Sequence, residues 1–247
     1  MHLYVIRHAQ SANNALYAQT GSEVGRKSDP ELTEIGHQQA QALAQFLAQT
    51  NSPTSLSPDQ DIHNRHSFPF THLYTSLMLR AITTGHYIAE AMQMPLHVWF
   101  DIHEWGGIYL DDEHTGERVG QPGAARSELE PQFPRLVLPD WVDESGWWNR
   151  PFEPREHALD RAHGFVKELL ARHQPDDRVA IVTHGGFAYA LLWNLVQFGH
   201  QNDRFETPRD VWFWINNTSI SRIHIGPDHI NMVYWNRTEH LPATLIT

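Results

Sequence analysis

The chain has 247 residues, no cysteine and a formal net charge of −11 at pH 7. Its length suits one large domain or two small ones with a buried core, and its hydrophobic fraction of 40% is typical of a soluble globular protein. The missing cysteines exclude disulfides and thiolate metal sites, and the negative charge argues against nucleic-acid or anionic-membrane partners.

Targeting and metal signals are weak. No apolar run approaches the roughly 20 residues that span a bilayer, and the first residues lack the basic and apolar regions of a secretory signal. Together with the missing cysteines, this predicts a cytoplasmic protein with no membrane partner. Eighteen histidines is a high count, but no HExxH spacing is present, so we expect no metal site.

The first third of the chain opens with a short apolar run over residues 3–6, long enough for a buried strand, which ends at Arg7-His8. The polar residues 15–30 predict a loop. Thr33 is a plausible N-cap for a helix over about 34–48. The next predicted feature is an exposed connection rich in Ser, Pro, Asp and Asn, over residues 50–70.

A second strand, over residues 72–75, leads through Ser76 into a helix that runs to Met92 and carries Arg80 in its first turn. A third strand is predicted over residues 96–100. The stretch 106–153 then has no sustained period, and such long irregular stretches are often lids or binding insertions. A packed excursion whose tryptophans fill a core is an equal alternative.

Helical periodicity resumes over about 154–173, and residues 178–183 form the clearest buried strand of the chain. This strand ends at His184-Gly185-Gly186, where an apolar helix begins. The remaining apolar runs predict three strands, over residues 211–215, 220–225 and 230–235.

Strands that alternate with helices predict an α/β fold with a mostly parallel central sheet. Ligands of such sheets bind beyond the carboxyl ends of the strands, where Arg7, His8, Arg80 and His184 are all expected. Arginine forks, histidines and helix N-termini together suit a phosphate, and Gly185 and Gly186 let the backbone approach a ligand closely. The sequence therefore predicts a phosphate pocket.

These residues also carry a family resemblance. Arg7-His8-Ala9-Gln10-Ser11, with Asn14 beyond it, resembles the Arg-His-Gly motif of the histidine phosphatase superfamily, the phosphoglycerate-mutase-like proteins. The further matching blocks follow in the family's order over about residues 2–225: Leu32-Thr33-Glu34-Ile35-Gly36, Ser76-Leu77-Met78-Leu79-Arg80-Ala81, Thr183-His184-Gly185-Gly186 and Asn217-Thr218-Ser219-Ile220. The resemblance implies a single domain over 1–247, a three-layer sandwich with helices flanking the sheet, and an insertion or lid at about 106–153.

The resemblance also implies roles. His8 would be the nucleophile that forms a phosphohistidine, with the phosphate held by Arg7, Arg80 and His184 and by hydrogen bonds from Asn14 and Gly185. Glu104 would protonate the leaving oxygen and then activate water. The acidic residues that compete with Glu104 for this role are Asp101, Asp111 and Asp112. No cofactor is implied.

The expected activity is that of a phosphoric monoester hydrolase of the histidine acid phosphatase type, acting on a small phosphorylated metabolite. Ala9 replaces the family's usual glycine, and the residues after Asn14 lack the mutase-type continuation, which favours hydrolysis over transfer between hydroxyls. A mutase and a non-catalytic phosphate binder remain the alternatives. Candidates for contact with the rest of the substrate are Arg126, Arg150, Arg155, Trp147 and Trp148, which pairing at the surface or packing in a core explains equally well.

Overall fold

A computed structural model describes residues 1–49, 60–197 and 212–247. The strands in these ranges are β1 His2–Arg7, β2 His72–Thr75, β3 Leu96–Val98, β4 Tyr109–Asp111, β5 Arg118–Gly120, β6 Leu136–Val137, β7 Arg178–Thr183, β8 Ile220–Ile225 and β9 Ile230–Arg237. The α-helices are α1 Ala12–Thr20, α2 Glu34–Gln49, α3 Leu79–Met92, α4 Arg126–Gln132, α5 Arg155–Arg172 and α6 Gly185–Gln197, and short 3₁₀ turns lie at Phe100–Ile102 and Ala243–Leu245.

Seven of these strands form one sheet in the order β6-β3-β2-β7-β1-β8-β9. The first five run parallel, whereas β8 is antiparallel to β1 and β9 is antiparallel to β8. Arg7 at the end of β1 pairs with Thr183 at the end of β7, and Thr75 at the end of β2 pairs with Val182. The carboxyl ends of three strands therefore meet at one edge, which confirms the mostly parallel sheet.

The two faces of β1 bury different helices. Leu3 and Val5 pack in one core with residues of α5 and α6, such as Phe165. Tyr4 and Ile6 point the other way and pack with residues of α2 and α3, because successive side chains of a strand alternate between its faces. Both cores are apolar, which explains the near-continuous hydrophobic runs of the central strands. The predicted three-layer sandwich is confirmed.

One helix was not predicted. Helix α1 occupies residues 12–20, where the polar composition predicted a loop, and none of its residues is buried. Its N-cap Ser11 forms a capping box with Asn14, and Gly21 ends the helix with a φ of 67°. The helix is thus specified by its ends rather than by an apolar stripe. Helix α2 begins at the predicted place, where Thr33 Oγ1 accepts a hydrogen bond of 3.0 Å from Gly36 N.

Two connections differ from their prediction. The connection predicted at 50–70 has no helix or strand over residues 60–70, as expected, but it is only partly exposed, because Phe68 is fully buried and the buried Asp61 caps a turn; residues 50–59 lie outside the described residues. The strand at 211–215 is also wrong, because residues 212–215 have no regular structure and Val211 lies outside the described residues. Aromatic β-formers there pack individually instead of pairing in a ladder.

The stretch 106–153 is more regular than its lack of period predicted. It contains β4, β5 and α4, and β6 extends the edge of the central sheet. Trp147 and Trp148 are buried in a core of their own together with Ile82 of α3. Two of the three tryptophans of this stretch therefore fill a core, as the packed-excursion alternative expected, whereas Trp141 is 50% exposed. None of the described helices has the length and apolar character needed to cross a membrane.

Candidate active site

The predicted residues converge beyond the carboxyl ends of β1, β2 and β7. His8 follows β1, Arg80 lies in the first turn of α3, and His184 lies between β7 and α6. The ring centroids of His8 and His184 are 4.9 Å apart, and Arg80 Nε lies 3.2 Å from His8 Nε2. Residues separated by up to 176 positions in the sequence thus share one site, because parallel strands end at a common edge.

The imidazole of His8 is held in one tautomer. Its Nδ1 lies 2.6 Å from the carbonyl oxygen of Ala9, and a carbonyl can only accept, so Nδ1 carries the proton. The other nitrogen, Nε2, therefore presents a lone pair, which accepts the hydrogen bond from Arg80 Nε. Burial lowers the pKa of His8 well below its usual range, and the charges of Arg80 and Arg7 add to this effect. The result is a neutral imidazole with a nucleophilic nitrogen facing a guanidinium.

Arg80 is itself held from behind by a carboxylate that the sequence analysis did not single out. Asp29 Oδ1 lies 3.6 Å from Arg80 Nη1 and accepts a hydrogen bond of 3.1 Å from Leu79 N at the start of α3. Burial raises the pKa of Asp29 to about 7, although Arg80 acts in the opposite direction. Asp29 is therefore a positioning group for Arg80.

Arg7 has one fixed bond and one free donor. Its Nη1 donates to the carbonyl oxygen of Ile215 at 2.6 Å, whereas its buried Nε has no hydrogen-bond partner within the described residues. Burial lowers the pKa of Arg7 to about 10, with Arg80 lowering it further and Glu104 raising it. Buried donors are normally satisfied, so this Nε is a ready donor to an anion.

His184 is paired with a serine. Its Nε2 lies 2.6 Å from Ser76 Oγ, while its buried Nδ1 has no partner among the described residues. Burial lowers the pKa of His184 well below the usual range, and the nearby positive charge of Arg80 lowers it further. Ser76 was predicted only as a residue that leads into α3, and its contact with His184 was missed because it joins positions 108 apart.

Glu104 lies at the N-terminus of α6. Its carboxylate accepts hydrogen bonds of 3.0 Å from the backbone nitrogens of Trp105, Gly186 and Phe187, where the helix dipole also favours an anion. Its charge acts on both Arg7 and Arg80. The competing carboxylates are engaged elsewhere: Asp111 faces Arg118, Asp112 caps a turn, and Asp101 lies among Glu168, Arg161, Arg150 and Arg172.

The glycine that this contact requires is Gly186. A Cβ on Gly186 would lie 2.3 Å from Glu104 Oε1, whereas one on Gly185 would meet only ordinary contacts, 3.7 Å from Arg7 Nε and 3.9 Å from Ile215. The close approach expected of Gly185 and Gly186 is thus found within the protein at Gly186. Any need for glycine at position 185 has to come from a ligand.

Asn14 belongs to a network behind the nucleophile. Its Oδ1 accepts a hydrogen bond of 3.2 Å from Asn217 Nδ2, which also donates to the carbonyl oxygen of His8 at 2.8 Å. Thr247 Oγ1 in turn donates to Asn217 Oδ1. Asn217 is buried, and its role was missed because the late Asn-Thr-Ser motif suggested only the entry to a strand.

Of the three arginines predicted as candidates for substrate contact, only Arg155 lies near Glu104. Arg126 donates to the carbonyl oxygens of Val142 and Pro139, and Arg150 lies over Phe100, so both support the 106–153 stretch. Arg155 differs, because its guanidinium lies over the ring of Trp105, next to Glu104.

Several known proteins share this architecture. A model of the histidine phosphatase superfamily (branch 1) matches residues 3–58 and 63–238. A glucosyl-3-phosphoglycerate phosphatase of Mycolicibacterium vanbaalenii is 25% identical over 195 residues, which cover 76% of this chain and 71% of that protein. One from Mycobacterium tuberculosis is 24% identical, over 76% of this chain and 72% of its own length.

Solved structures resemble the fold as a whole. A mycobacterial glucosyl-3-phosphoglycerate phosphatase superposes with a TM-score of 0.55 at 20% identity, covering 96% of this chain and 98% of its own. A phosphoserine phosphatase from Entamoeba histolytica, in complex with 3-phosphoglyceric acid, gives a TM-score of 0.56 at 18% identity, with 98% and 99% covered. At these identities the likeness establishes the fold.

Proposed function

Since the chain belongs to the histidine phosphatase superfamily, branch 1, we propose that it hydrolyses phosphomonoesters of small metabolites through a phosphohistidine on His8. The observation that carries the proposal is the neutral His8 ring, whose Nε2 lone pair faces Arg80 at 3.2 Å. Mycobacterial and amoebic relatives named as phosphatases of glucosyl-3-phosphoglycerate and phosphoserine support the reaction class.

In the first step, the lone pair of His8 Nε2 attacks phosphorus, and the bond from phosphorus to the ester oxygen breaks. Arg80 gives up its bond to Nε2 and donates to the phosphoryl oxygens together with the free Nε of Arg7, Nδ1 of His184 and the amide of Asn14. Positive groups that converge on the equatorial oxygens stabilise the charge of the transition state. Glu104 in its acid form gives its proton to the departing oxygen.

In the second step, the Glu104 carboxylate takes a proton from water, and the resulting hydroxide oxygen forms a bond to phosphorus as the bond from phosphorus to nitrogen breaks. Inorganic phosphate leaves, and His8 returns to its neutral form with Nδ1 still donating to Ala9. The buried network of Asn217 and Asn14 keeps the backbone of His8 fixed through both steps.

The direct test is phosphoenzyme trapping with radiolabelled substrate, alongside turnover of an aryl phosphate in the presence of a chelator. We expect an acid-labile, alkali-stable phosphoenzyme, and a fall in turnover of about 10⁴-fold or more in His8→Ala. The exposed His114→Ala is the matched control. Wild-type turnover by His8→Ala would refute the proposal.

Glu104→Gln separates the general acid from the phosphate-binding groups. Its turnover should fall by about 10²–10⁴-fold with alkyl phosphates, whose leaving oxygen needs a proton, and less with nitrophenyl phosphate. An equal loss with both substrates would assign Glu104 to binding or folding. Strong dependence on a bisphosphorylated primer, with little free phosphate released, would select a mutase instead.

We also propose that the protein is of the acid-phosphatase type and that it is cytoplasmic. The acid-phosphatase type predicts turnover that persists below pH 6, which agrees with the lowered pKa of His8, since its ring stays neutral and nucleophilic there. A pH-rate profile tests this prediction. Two observations support the cytoplasmic location: the sequence has no cysteine, and none of the described helices could cross a membrane.

A further inference from the structure

A histidine cluster lies at the opposite edge of the central sheet from the site. His72 begins β2, His173 follows α5 and Asp177 precedes β7. His173 Nδ1 lies 3.3 Å from Asp177 Oδ2, and His72 Nδ1 lies 3.9 Å from Asp177 Oδ1. The six residues of β7 lie between Asp177 and His184, which puts the cluster about 20 Å from the phosphate pocket.

The spacing of these atoms suits a shared metal ion. One ligand atom from each of His72, His173 and Asp177 lies within 4.8 Å of the other two. A tetrahedral zinc ion with bonds of about 2.0–2.1 Å separates its ligand atoms by about 3.3 Å. The His173–Asp177 pair already has this separation, so only the His72 side has to close, by side-chain rotation at a partly exposed position.

The neighbours of the cluster favour this use. Tyr74 Oη lies 3.3 Å from His173 Nε2, which is the outer hydrogen bond that orients a metal-binding imidazole through its other nitrogen. His97 on β3 also interacts with His72. The nearest cation, Arg172, is paired with Glu168.

We propose that His72, His173 and Asp177 bind a divalent transition-metal ion of the zinc type, with water at the remaining position. Binding exchanges the present hydrogen bond between Thr71 Oγ1 and His72 Nδ1 for a coordinate bond. The ion joins the start of β2, the end of α5 and the start of β7, so its effect is on stability rather than on phosphoryl transfer.

The test is calorimetric titration of tag-free, chelator-treated protein with zinc chloride, with thermal denaturation as a second measurement. We expect one zinc per chain, a raised melting temperature, and affinity lowered by at least about tenfold in His173→Asn and Asp177→Asn. His114→Ala controls for exposed histidines, and His8→Ala controls for zinc held by the phosphate pocket.

His173 is buried, so its replacement could unfold the protein. His72→Asn is therefore tested as a separate variant, because the His72 side chain is 37% exposed and the fold tolerates its loss more easily. Cobalt(II) in place of zinc should give the intense visible bands of a tetrahedral site in wild type and lose them in His72→Asn. Absence of zinc binding, wild-type affinity in folded His72→Asn, or loss of binding in His8→Ala would each overturn the proposal.

Discussion

Glu104 and Gly186 are in closer contact than any side chain at position 186 would allow, since a Cβ there would lie 2.3 Å from Glu104 Oε1 and 2.8 Å from the Trp105 ring. The carboxylate accepts hydrogen bonds from the backbone N–H groups of Gly186 and Phe187 in the first turn of α6. It can reach them only because no Cβ at position 186 stands in its way. The position of the proposed general acid therefore depends on the absence of one methyl group.

Gly186→Ala should displace Glu104 and destabilise the fold by about 1–3 kcal/mol, the usual range for an overpacked site. Turnover of alkyl phosphates should fall more than turnover of nitrophenyl phosphate. Gly164→Ala is the matched control, because Gly164 lies in α5 and a Cβ added there would have no atom within 4 Å. That substitution should stabilise by up to about 1 kcal/mol. Urea denaturation and steady-state rates measure both, and full activity in Gly186→Ala would contradict the prediction.

Asn217 supports His8 from the other side, by donating to its carbonyl oxygen and to Asn14 Oδ1. Asn217→Ala removes three hydrogen bonds of a buried amide, to His8, Asn14 and Thr247, so we expect a loss of about 1–3 kcal/mol in stability and a lower kcat. Asn13→Ala is the control, since Asn13 also bonds through both side-chain atoms but only to solvent-exposed Lys27 groups. Equal effects of the two substitutions would remove Asn217 from the site.

At the scale of elements, Arg161 of α5 holds the segment that precedes Glu104. It forms a two-pronged ion pair with Glu153, at 2.8 and 2.7 Å, and donates to the carbonyl oxygens of Asp101 and His103. Both partners of the ion pair are nearly buried, with 9% and 14% of the side chains exposed. One arginine thus connects a helix, the end of the 106–153 stretch and the loop of the proposed general acid.

Arg161→Gln should cost about 3–5 kcal/mol, because it leaves the carboxylate of Glu153 buried without a charge partner. Arg135→Gln is the comparison, since Arg135 pairs with Glu90 at 2.9 Å but with 29% and 44% exposed. Such a pair is worth about 0–1 kcal/mol. Midpoints of urea denaturation compare the two, and similar losses would show that burial does not set the value of these pairs.

The elements that were predictable share one property, an apolar pattern that burial imposes. Strands β7 and β8 were predicted with their observed ends, because β7 is a continuous apolar run and the isoleucines of β8 recur between polar residues. Helix α1 was missed because it buries nothing. The strands within the 106–153 stretch were missed because each has only two or three residues, too few to show a period.

The site residues that could be predicted from the sequence also carry a local pattern. Arg7, His8 and His184 were predictable because each follows a recognisable strand and matches a motif. The close approach at Gly186 was also predicted, although its partner, Glu104, was not. Asp29, Ser76 and Asn217 act through contacts with residues distant in sequence. No local pattern encodes such contacts, so only the fold reveals them.

At the scale of the whole molecule, buried histidines make the folded state sensitive to acid. The pKa values of His8, His103 and His184 are lowered well below the usual range, mainly by burial. In the unfolded chain they bind protons near pH 6.5, so the stability they contribute is lost as pH falls below that value. Asp29 acts oppositely, because its pKa of about 7 lets the folded state hold a proton that the unfolded state releases.

His97, His173 and His240 shift in the same direction as these histidines, and Asp101 in the direction of Asp29. The histidines outnumber the carboxyl groups, so stability should fall as pH decreases from 6.5 toward 5, by at most about 1.4 kcal/mol per pH unit for each net proton. Denaturation in urea at several pH values measures this slope. Asp29→Asn should make the slope steeper, and His103→Asn should make it shallower. A slope near zero or of opposite sign would contradict the lowered histidine pKa values.

Strand β1 has a further consequence for how the protein is made. Its residues are synthesised before those of its neighbours in the sheet, β7 and β8, which begin at Arg178 and Ile220. At typical rates of synthesis, on the order of 10–40 s pass before the last of these strands is available. During that time an apolar segment that bears Arg7 and His8 has no sheet to join. The phosphate pocket is therefore assembled only after β8 has been synthesised, and until then the β1 segment is exposed to aggregation.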